Sequence, residues 1–267
     1  MTNYYGCFRD IRESGLETLL ECSVYDAPMN KVYHLNTATN EELDFYVDEL
    51  ANTRNSILEL CCGNGRITIP LVKKGFIIDG IDISKDMLEL LWNGKEQLPK
   101  QFQRNMHIVQ CDVFSFQPEK NYDAIILPAT TISILVEFNE FHYLLDKIFS
   151  WLNDDGKFIF DYCVDYSEQT QQVNFAKFQD NGVDYHLFYQ DFVNREKGKS
   201  IANFYLYMQN GANQVEHYIA SAKKTILGKD EIVNLLSKHG FHLINNLIRY
   251  ENGYGIEMLS FGKGKDE

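Results

Sequence analysis

The spacing of apolar residues changes along the chain and predicts its structural elements. Between about residue 40 and residue 163, short apolar runs typical of buried strands alternate with longer stretches of helical periodicity. The predicted strands are Ile57 to Cys61, "FIIDGID", "MHIVQCD", "YDAIILP" and "KFIFDYC". The predicted helices are "TATNEELDFYVDELAN" with Thr39 or Asn40 as its cap, Arg66 to Lys74, "SKDMLELLWNG" and "NEFHYLLDKIFSWL". Strands that alternate with helices are typical of parallel βαβ units, because each parallel connection needs a crossover.

A different pattern runs from residue 164 to residue 226. The runs "DYHLFYQDFV", "SIANFYLYMQ" and "QVEHYIASAKKTI" are separated by the turns "NREKGK" and "NGAN", and they predict an antiparallel meander. The stretch "KDEIVNLLSKHG" then predicts a helix that ends at Gly240, and the last apolar runs predict a hairpin. Residues 1–38 are rich in aromatic side chains but irregular in pattern.

These patterns predict how the 267 residues are divided. Residues 39–163 and 227–267 are expected to form one α/β domain, with residues 164–226 as an antiparallel β insertion and residues 1–38 as a separate N-terminal segment. In parallel sheets the ligand lies outside the carboxyl ends of the strands. The residues predicted at or near those ends are Glu59, Asp82, Asp112, Pro128 and Asp161.

Charge and cysteine content narrow the classes of partner. With 38 acidic and 25 basic side chains, the formal net charge is −13, so the surface repels a polyanion and nucleic acid is a poor candidate substrate. The six cysteines show no C-x-x-C spacing, which argues against a metal site. The first residues lack the apolar run of a signal peptide, and no stretch approaches the ~20 apolar residues of a membrane span. We therefore expect a soluble, reduced, cytoplasmic protein with neither nucleic acid nor membrane as a partner.

The glycine turn in "ILELCCGNGRITIPL" is the clearest candidate binding site. Gly63 and Gly65 allow a sharp strand-to-helix turn and the close approach of a ligand, and the helix N-terminus beyond them offers free N–H groups. Asp82, at the end of the second strand, can accept both hydroxyls of a ribose. A dinucleotide fingerprint would need a third glycine where Thr68 stands, and a phosphate loop would need a G-K-[ST] ending that is not there.

Four motifs in this order resemble those of the class I S-adenosylmethionine-dependent methyltransferases. They are "ELCCGNGR", "GIDISKDML", "CDVFSF" and "FSWLNDDGKFIFDY", and the resemblance resumes at "LGKDEIVNLLSKHGF". It implies an α/β, Rossmann-like fold with a seven-stranded mixed sheet, helices on both faces and the β insertion. Two departures are Cys61 in place of a glycine and a single late glycine, Gly156, in place of two.

The resemblance implies S-adenosyl-L-methionine as the cofactor and gives each motif residue a role. Asp82 would hold the ribose, Asp112 would accept from the adenine amino group, and Met87 would pack on adenine. For the two aspartates the alternative is helix capping or turn formation, and for Met87 it is core packing. The full set of predicted cofactor residues is Glu59, Gly63, Gly65, Asp82, Ile83, Met87, Asp112, Val113 and Pro128, and no metal ligand is predicted.

The acceptor is inferred from a missing signature and from the insertion. The chain reads "LPATTISIL" where relatives that methylate amino groups of nucleic acids and proteins carry D/N-P-P-Y. Several family members that act on small molecules have a β insertion at this place. The resemblance therefore implies a small-molecule acceptor, with nitrogen slightly favoured over oxygen. The insertion would cover the substrate or mediate dimerisation, and the protein would be a monomer or a homodimer.

The catalytic candidates are His217, Tyr33 and Tyr162. In-line methyl transfer depends largely on alignment, so a strong catalytic motif is not expected. His217 shares a strand face with its apolar neighbours. Its alternative roles are a base, a substrate contact or a core histidine. Tyr33 belongs to the N-terminal segment, which either forms a lid over the cofactor or packs as an ordinary part of the fold. Tyr162 and Asp161 are expected to face the substrate. The alternative functions are methylation of a peptide or protein, an NAD-dependent oxidoreductase, and a non-catalytic cofactor-binding protein.

Overall fold

The computed structural model describes residues 3–36, 42–51, 53, 56–166, 171–212, 214–251 and 254–264. The chain divides into two compact units. The first unit comprises residues 1–38, 166–226 and 252–254, and the second comprises residues 39–165, 227–251 and 255–267. The predicted caps Thr39 and Asn40 lie outside the described residues.

The helices and strands are numbered in chain order. The helices are α1 Gly6–Glu13, α2 Met29–Asn36, α3 Leu43–Glu49, α4 Thr68–Lys73, α5 Lys85–Glu96, α6 Lys100–Gln103, α7 Ile132–Leu135, α8 Phe141–Trp151 and α9 Lys229–Lys238. The strands are β1 Leu19–Glu21, β2 Ile57–Leu60, β3 Ile78–Asp82, β4 Met106–Gln110, β5 Tyr122–Leu127, β6 Leu152–Tyr166, β7 Asn174–Asp180, β8 Val183–Asn194, β9 Lys199–Asn210, β10 Val215–Thr225, β11 Phe241–Glu251 and β12 Tyr254–Lys263.

A seven-stranded sheet with the order β11-β12-β6-β5-β2-β3-β4 organises the second unit. The pairs β2–β3, β2–β5, β3–β4 and β5–β6 are parallel. The chain steps outward from β2 to β3 and β4 on one side, and then returns to β5 on the other. The order therefore reverses at β2, and in open α/β sheets a ligand crevice lies at such a reversal, outside the carboxyl ends of the strands.

Alternation along the central strands separates two apolar layers. In β5, Ala124 and Ile126 belong to one buried cluster, whereas Ile125 and Leu127 belong to the other. The first cluster includes apolar residues of α3, α4 and α5, and the second includes those of α7, α8 and α9. Successive residues of a strand point to opposite faces, so both faces of the sheet are covered by helices. The predicted Rossmann-like fold with a mixed seven-stranded sheet is confirmed.

The first unit is built on a five-stranded sheet with the order β1-β10-β9-β8-β7. Three of its pairs are antiparallel, and β1 lies parallel to β10. The meander that we predicted accounts for β8, β9 and β10, but β7 and β1 were not predicted. The prediction of an irregular segment over residues 1–38 was wrong, since this segment contains α1, β1 and α2. These elements are short, so they leave too few repeats for a clear period in the sequence.

Element ends differ from the predicted ones by a few residues. The helix expected over Arg66 to Lys74 begins at Thr68, and β6 extends the run "KFIFDYC" at both ends. Gly240, which follows α9 with φ +85°, ends that helix as predicted, because glycine adopts the left-handed region without a Cβ penalty. Among the described residues, no helix is long and apolar enough to cross a membrane.

Candidate functional site

The turn after β2 depends on left-handed backbone at alternate positions. Cys61, Gly63 and Gly65 have φ values of +55°, +52° and +79°. A Cβ on Gly63 would lie 3.1 Å from the Met87 Cε, and one on Gly65 would lie 2.9 Å from the Leu91 Cγ. Both positions therefore favour glycine for their conformation, and Gly65 also for space. Cys61 adopts the same conformation with a side chain, which costs roughly 1–2 kcal/mol.

The carboxylate of Asp82 joins this turn to the next one. Its Oδ2 accepts the Gly63 N–H at 2.8 Å, and its Oδ1 accepts the Ser84 N–H at 2.8 Å. Burial raises the pKa of Asp82, and these backbone N–H groups oppose that rise. The turn-forming role that we weighed as an alternative is thus present. A carboxylate accepts up to about four hydrogen bonds, so Asp82 keeps acceptor capacity beside these two contacts.

Apolar side chains follow Asp82 in the sequence. Ile83 is 65% exposed, while Met87 and Val113 are buried. Ser84 caps α5 by accepting the Met87 N–H at 3.2 Å, which fixes Met87 at the start of that helix. An exposed isoleucine next to the Asp82 carboxylate offers apolar surface of the kind that a flat aromatic ligand covers.

Asp112 shapes the loop that follows β4. Its Oδ1 accepts the Phe114 N–H at 3.0 Å, and its carbonyl accepts the N–H groups of Ser115 and Phe116, both at 3.0 Å. The neighbouring Cys111 N–H donates to the Asp82 carbonyl at 2.9 Å, which ties the loop to the end of β3. The structure therefore brings Asp112 and Asp82 to neighbouring strand ends, as the sequence predicted.

Glu59 supports the turn from inside the sheet. It is 1% exposed, and its Oε2 accepts the Thr68 hydroxyl at 2.7 Å. Burial raises the pKa of Glu59 to about 8, against smaller lowering effects of Thr68 and Arg66. Thr68, which interrupts the dinucleotide pattern, is thus the partner of Glu59. The Arg66 guanidinium, in turn, forms an ion pair with the Glu42 carboxylate.

The loop after β5 is held by a buried carboxylate from β6. Ala129 and Thr130 both have positive φ, +66° and +54°. The Asp161 carboxylate accepts the Ala129 N–H on Oδ2 at 3.0 Å and the Thr130 N–H on Oδ1 at 2.5 Å. The Tyr46 hydroxyl donates to Oδ2 at 2.6 Å. Pro128 is buried immediately before this loop. The sequence pointed to Pro128 and Asp161 as strand-end residues, but not to the left-handed pair or to Tyr46.

The electrostatics of Asp161 reflect two opposing effects. The residue is 2% exposed. Burial and the nearby Glu42 charge raise its pKa to about 6, while the hydrogen bonds from Tyr46 and Thr130 limit that rise. A carboxylate so placed remains ionised at neutral pH only because its donors replace water.

Tyr162 lies on the opposite side of β6 from its neighbour Asp161. Its side chain is fully buried, and its hydroxyl donates to the Glu257 Oε2 at 2.6 Å. Burial and Glu257 together raise the pKa of Tyr162. The expectation that Asp161 and Tyr162 face the same way was wrong, because consecutive strand residues alternate between faces. The catalytic role of Tyr162 stays a prediction.

The remaining catalytic candidates belong to the first unit. The His217 Nδ1 lies 2.8 Å from the Tyr205 hydroxyl, on a strand face that also carries Tyr207. The rings of Tyr33 and Tyr25 meet edge to face, with 6.3 Å between their centroids. The roles of His217 and Tyr33 stay predictions. Within the described ranges, no group of three or more His, Cys, Asp or Glu side chains is arranged to hold a metal ion.

The chain is similar to known methyltransferases in sequence. A family model described as "Methyltransferase domain" matches residues 52–240. A putative methyltransferase of Geobacillus sp. (strain WCH70) is 28% identical over 108 residues, which are 39% of this chain and 41% of that protein. The putative methyltransferase YqeM of Bacillus subtilis (strain 168) is 24% identical over 224 residues, 83% of this chain and 85% of that protein. The chain is therefore matched to less than half of the Geobacillus protein but to most of YqeM.

Solved structures share the fold over nearly the whole chain. The glycopeptide N-methyltransferase MtfA, solved with S-adenosyl-L-homocysteine, superimposes with a TM-score of 0.64 at 17% identity, covering 98% of this chain and 99% of that one. The family model covers more than half of the chain, which sets the oxidoreductase alternative aside. The chain therefore belongs to the methyltransferase-domain family and has the class I methyltransferase fold.

Proposed function

We propose that this protein transfers the methyl group of S-adenosylmethionine to a small-molecule acceptor, with nitrogen favoured over oxygen. The observation that carries the cofactor site is the Asp82 carboxylate, which joins the left-handed Gly63 turn to the N-terminus of α5. Glycine is favoured there because residue 63 has a φ of +52°, a conformation that L side chains rarely adopt. The resulting cradle presents backbone, one carboxylate and exposed apolar surface, the chemistry that a charged nucleoside requires.

Each predicted cofactor residue has a task in this proposal. Asp82 holds the ribose hydroxyls, Asp112 accepts from the adenine amino group, and Ile83 covers the purine ring with Met87 and Val113 behind it. Gly63 and Gly65 admit the methionine portion to the backbone. Glu59 orients this turn through Thr68. Pro128 stands where the loop after β5 begins.

The chain's contribution to the transfer is alignment. When bound, the cofactor supplies an electrophilic methyl group on a sulfonium. The acceptor nitrogen must arrive with its lone pair free, so an ammonium acceptor must first lose a proton to a base or to water. Holding two reactants in line lowers the barrier by several kcal/mol. The left-handed loop at Ala129, fixed by Asp161, belongs to the second unit and would limit the positions open to an acceptor.

Two observations support a small-molecule nitrogen acceptor. The loop after β5 reads "LPATTISIL" and lacks a D/N-P-P-Y signature. The fold matches a glycopeptide N-methyltransferase over 98% of the chain, β insertion included. We also propose that Tyr33 and His217, both in the first unit, contact the acceptor.

Calorimetric titration with S-adenosylmethionine tests the cofactor site. We expect Asp82→Ala to weaken binding by about 1–3 kcal/mol, the loss of charge-assisted hydrogen bonds. Asp79→Ala is the matched control, since Asp79 lies on the same strand and its carboxylate contacts His107, Lys120 and Tyr122. Intact protein that binds no S-adenosylmethionine would overturn the proposal.

Transfer of isotopically labelled methyl groups tests the acceptor. We would compare primary amines, amino sugars, hydroxylated compounds and basic peptides, with S-adenosylhomocysteine release as the common readout. Labelling confined to peptides would replace the small-molecule proposal with the peptide alternative. Cofactor binding without label transfer to any extract would favour a non-catalytic binding protein.

A further inference from the structure

Lys147 is a buried lysine whose ammonium binds main-chain carbonyls. It lies on α8 and is 8% exposed. Its Nζ donates to the Phe114 carbonyl at 2.8 Å and lies 3.5 Å from the Phe116 carbonyl. It also lies 5.1 Å from the ring centroid of Tyr143 and 5.7 Å from that of Trp151. In the part of the chain that the structure describes, it forms no ion pair with a carboxylate.

Burial of the Lys147 ammonium carries a free-energy cost that its carbonyl contacts only partly offset. Burying an ammonium without an opposite charge loses much of its hydration, and carbonyl dipoles and ring faces replace only part of it. A methionine would fill the same space without that penalty. Lys147 therefore differs from a residue that only packs, and it is distinguished by its two main-chain carbonyl contacts.

They hold the loop that carries Asp112. Phe114 and Phe116 lie two and four residues after Asp112, and their N–H groups donate to its carboxylate and its carbonyl, respectively. The Phe116 ring packs edge to face on Trp151 at 5.6 Å between centroids. Lys147 thus binds the carbonyl of Phe114, whose N–H donates to the Asp112 carboxylate, and lies by that of Phe116, whose N–H donates to the Asp112 carbonyl. The loop is held from both sides of its backbone.

We propose that Lys147 is a positioning residue for adenine recognition. By binding the carbonyls of Phe114 and Phe116, it holds the Asp112 carboxylate where it accepts the adenine amino group and keeps Val113 beside the ring. The inference rests on the proposed cofactor site. Lys147 does not touch the cofactor, so its removal should affect the adenine end of the ligand and leave the ribose contacts of Asp82 in place.

The test compares two ligands that differ at the adenine amino group. S-adenosylhomocysteine has this group, whereas its 6-deamino analogue, built on purine riboside, carries only a hydrogen at C6 and has no N–H there to donate to Asp112. We expect the wild-type protein to prefer the adenosyl ligand by about tenfold, the value of one charge-assisted hydrogen bond. In Lys147→Met, we expect adenosyl binding to weaken about fivefold or more and the preference to fall below about threefold.

Lys263→Met is the matched control. The Lys263 ammonium also donates to a main-chain carbonyl, that of Leu152 at 2.7 Å, and lies 5.1 Å from the Phe149 ring centroid. It contacts none of the predicted cofactor residues, so both affinities should match the wild type. Lys147→Gln keeps a neutral donor of shorter reach, and we expect it to fall between the wild type and Lys147→Met. This variant also serves if Lys147→Met does not fold.

The outcomes separate the two proposals. If the wild-type protein binds neither ligand, the proposed cofactor site fails, whatever Lys147 does. If the wild type discriminates and folded Lys147→Met or Lys147→Gln discriminates equally well, Lys147 is only structural and the inference is overturned. Reduced discrimination in these variants, with intact discrimination in Lys263→Met, supports it. Faster amide exchange of residues 111–116 in Lys147→Gln than in Lys263→Met would show the loop released.

Discussion

Two loops at the carboxyl edge of the seven-stranded sheet solve the same conformational problem differently. The turn after β2 and the loop after β5 follow neighbouring parallel strands, and both place residues in the left-handed region. The first uses Gly63 and Gly65, for which that region carries no Cβ penalty, beside one left-handed residue with a side chain, Cys61. The second uses Ala129 and Thr130, which are disfavoured there, and holds them with a carboxylate.

Each loop is also supported by a buried carboxyl group, and the two groups differ in the hydrogen-bond donors that they bind. Glu59 receives the Thr68 hydroxyl, and its pKa is raised to about 8. Asp161 receives two backbone N–H groups and the Tyr46 hydroxyl, and its pKa is raised only to about 6. Additional donors to the ionised form oppose the desolvation that burial imposes. The turn after β2 is thus supported by a carboxyl group, Glu59, that is largely protonated at pH 7, whereas the loop after β5 is supported by an ionised one, Asp161.

The largest expected effect lies in the glycine turn. Gly65→Ala should lower the free energy of unfolding by about 2–4 kcal/mol, because the new Cβ meets Leu91 in a position that also requires φ +79°. Gly75→Ala is the control, with φ +97° but open space around its Cβ. We expect it to cost only the conformational part, about 1–2 kcal/mol. Equal losses in urea denaturation would mean that the turn is not tightly packed.

The loop after β5 should lose stability when the Tyr46 hydroxyl that donates to Asp161 is removed. Tyr46→Phe removes one of the hydrogen bonds to the Asp161 carboxylate, and at pH 8 this should cost about 1.5–3 kcal/mol. The loss should shrink near pH 5, where Asp161 is protonated. Tyr122→Phe is the control, since the Tyr122 hydroxyl donates to Asp79, a carboxylate partly exposed to water. If both variants lose the same free energy at both pH values, burial of Asp161 does not strengthen its bonds.

The pH dependence of stability separates the two carboxyl groups. The pKa of Glu59 is raised on folding, so its contribution to stability is present at low pH and is lost as the pH rises through about 8. Between pH 6 and pH 8 the wild type should therefore lose about 2 kcal/mol relative to Glu59→Gln. Asp161, with a pKa of about 6, completes most of its change below this range. The wild type compared with Asp161→Asn should thus differ by less than about 0.5 kcal/mol across it. Urea titrations at several pH values measure both differences.

The comparison also explains what the sequence could predict. Gly63, Gly65 and Asp82 were predicted because glycines and a strand-end acid leave local signals, and the order of strands and helices followed from periodicity. Ala129 and Thr130 carry no such signal, since neither residue favours the left-handed region. Their conformation depends on Asp161, some 30 residues later in the chain.

Long-range partners account for the other misses. Tyr46 and Asp161 are 115 positions apart, so neither indicates the other in one sequence. Lys147 reads as one polar residue of an amphipathic helix, and only packing against the Asp112 loop distinguishes it. Asp161 and Tyr162 were assigned to the same face because their strand is buried on both sides, and such strands lose the alternation that marks their faces.

The smallest expected effect tests the strain itself. Ala129→Gly removes a Cβ from a residue at φ +66°, which should gain about 1–2 kcal/mol and lose about 0.5–1 kcal/mol to the greater freedom of glycine in the unfolded chain. We therefore expect a net stabilisation of about 0 to 1.5 kcal/mol. Ala222→Gly, in β10, makes the same exchange within a strand and should be destabilising. A destabilised Ala129→Gly in urea denaturation would mean that the loop after β5 holds no strain. The left-handed pair would then be a relaxed turn, and Asp161 would have nothing to restrain.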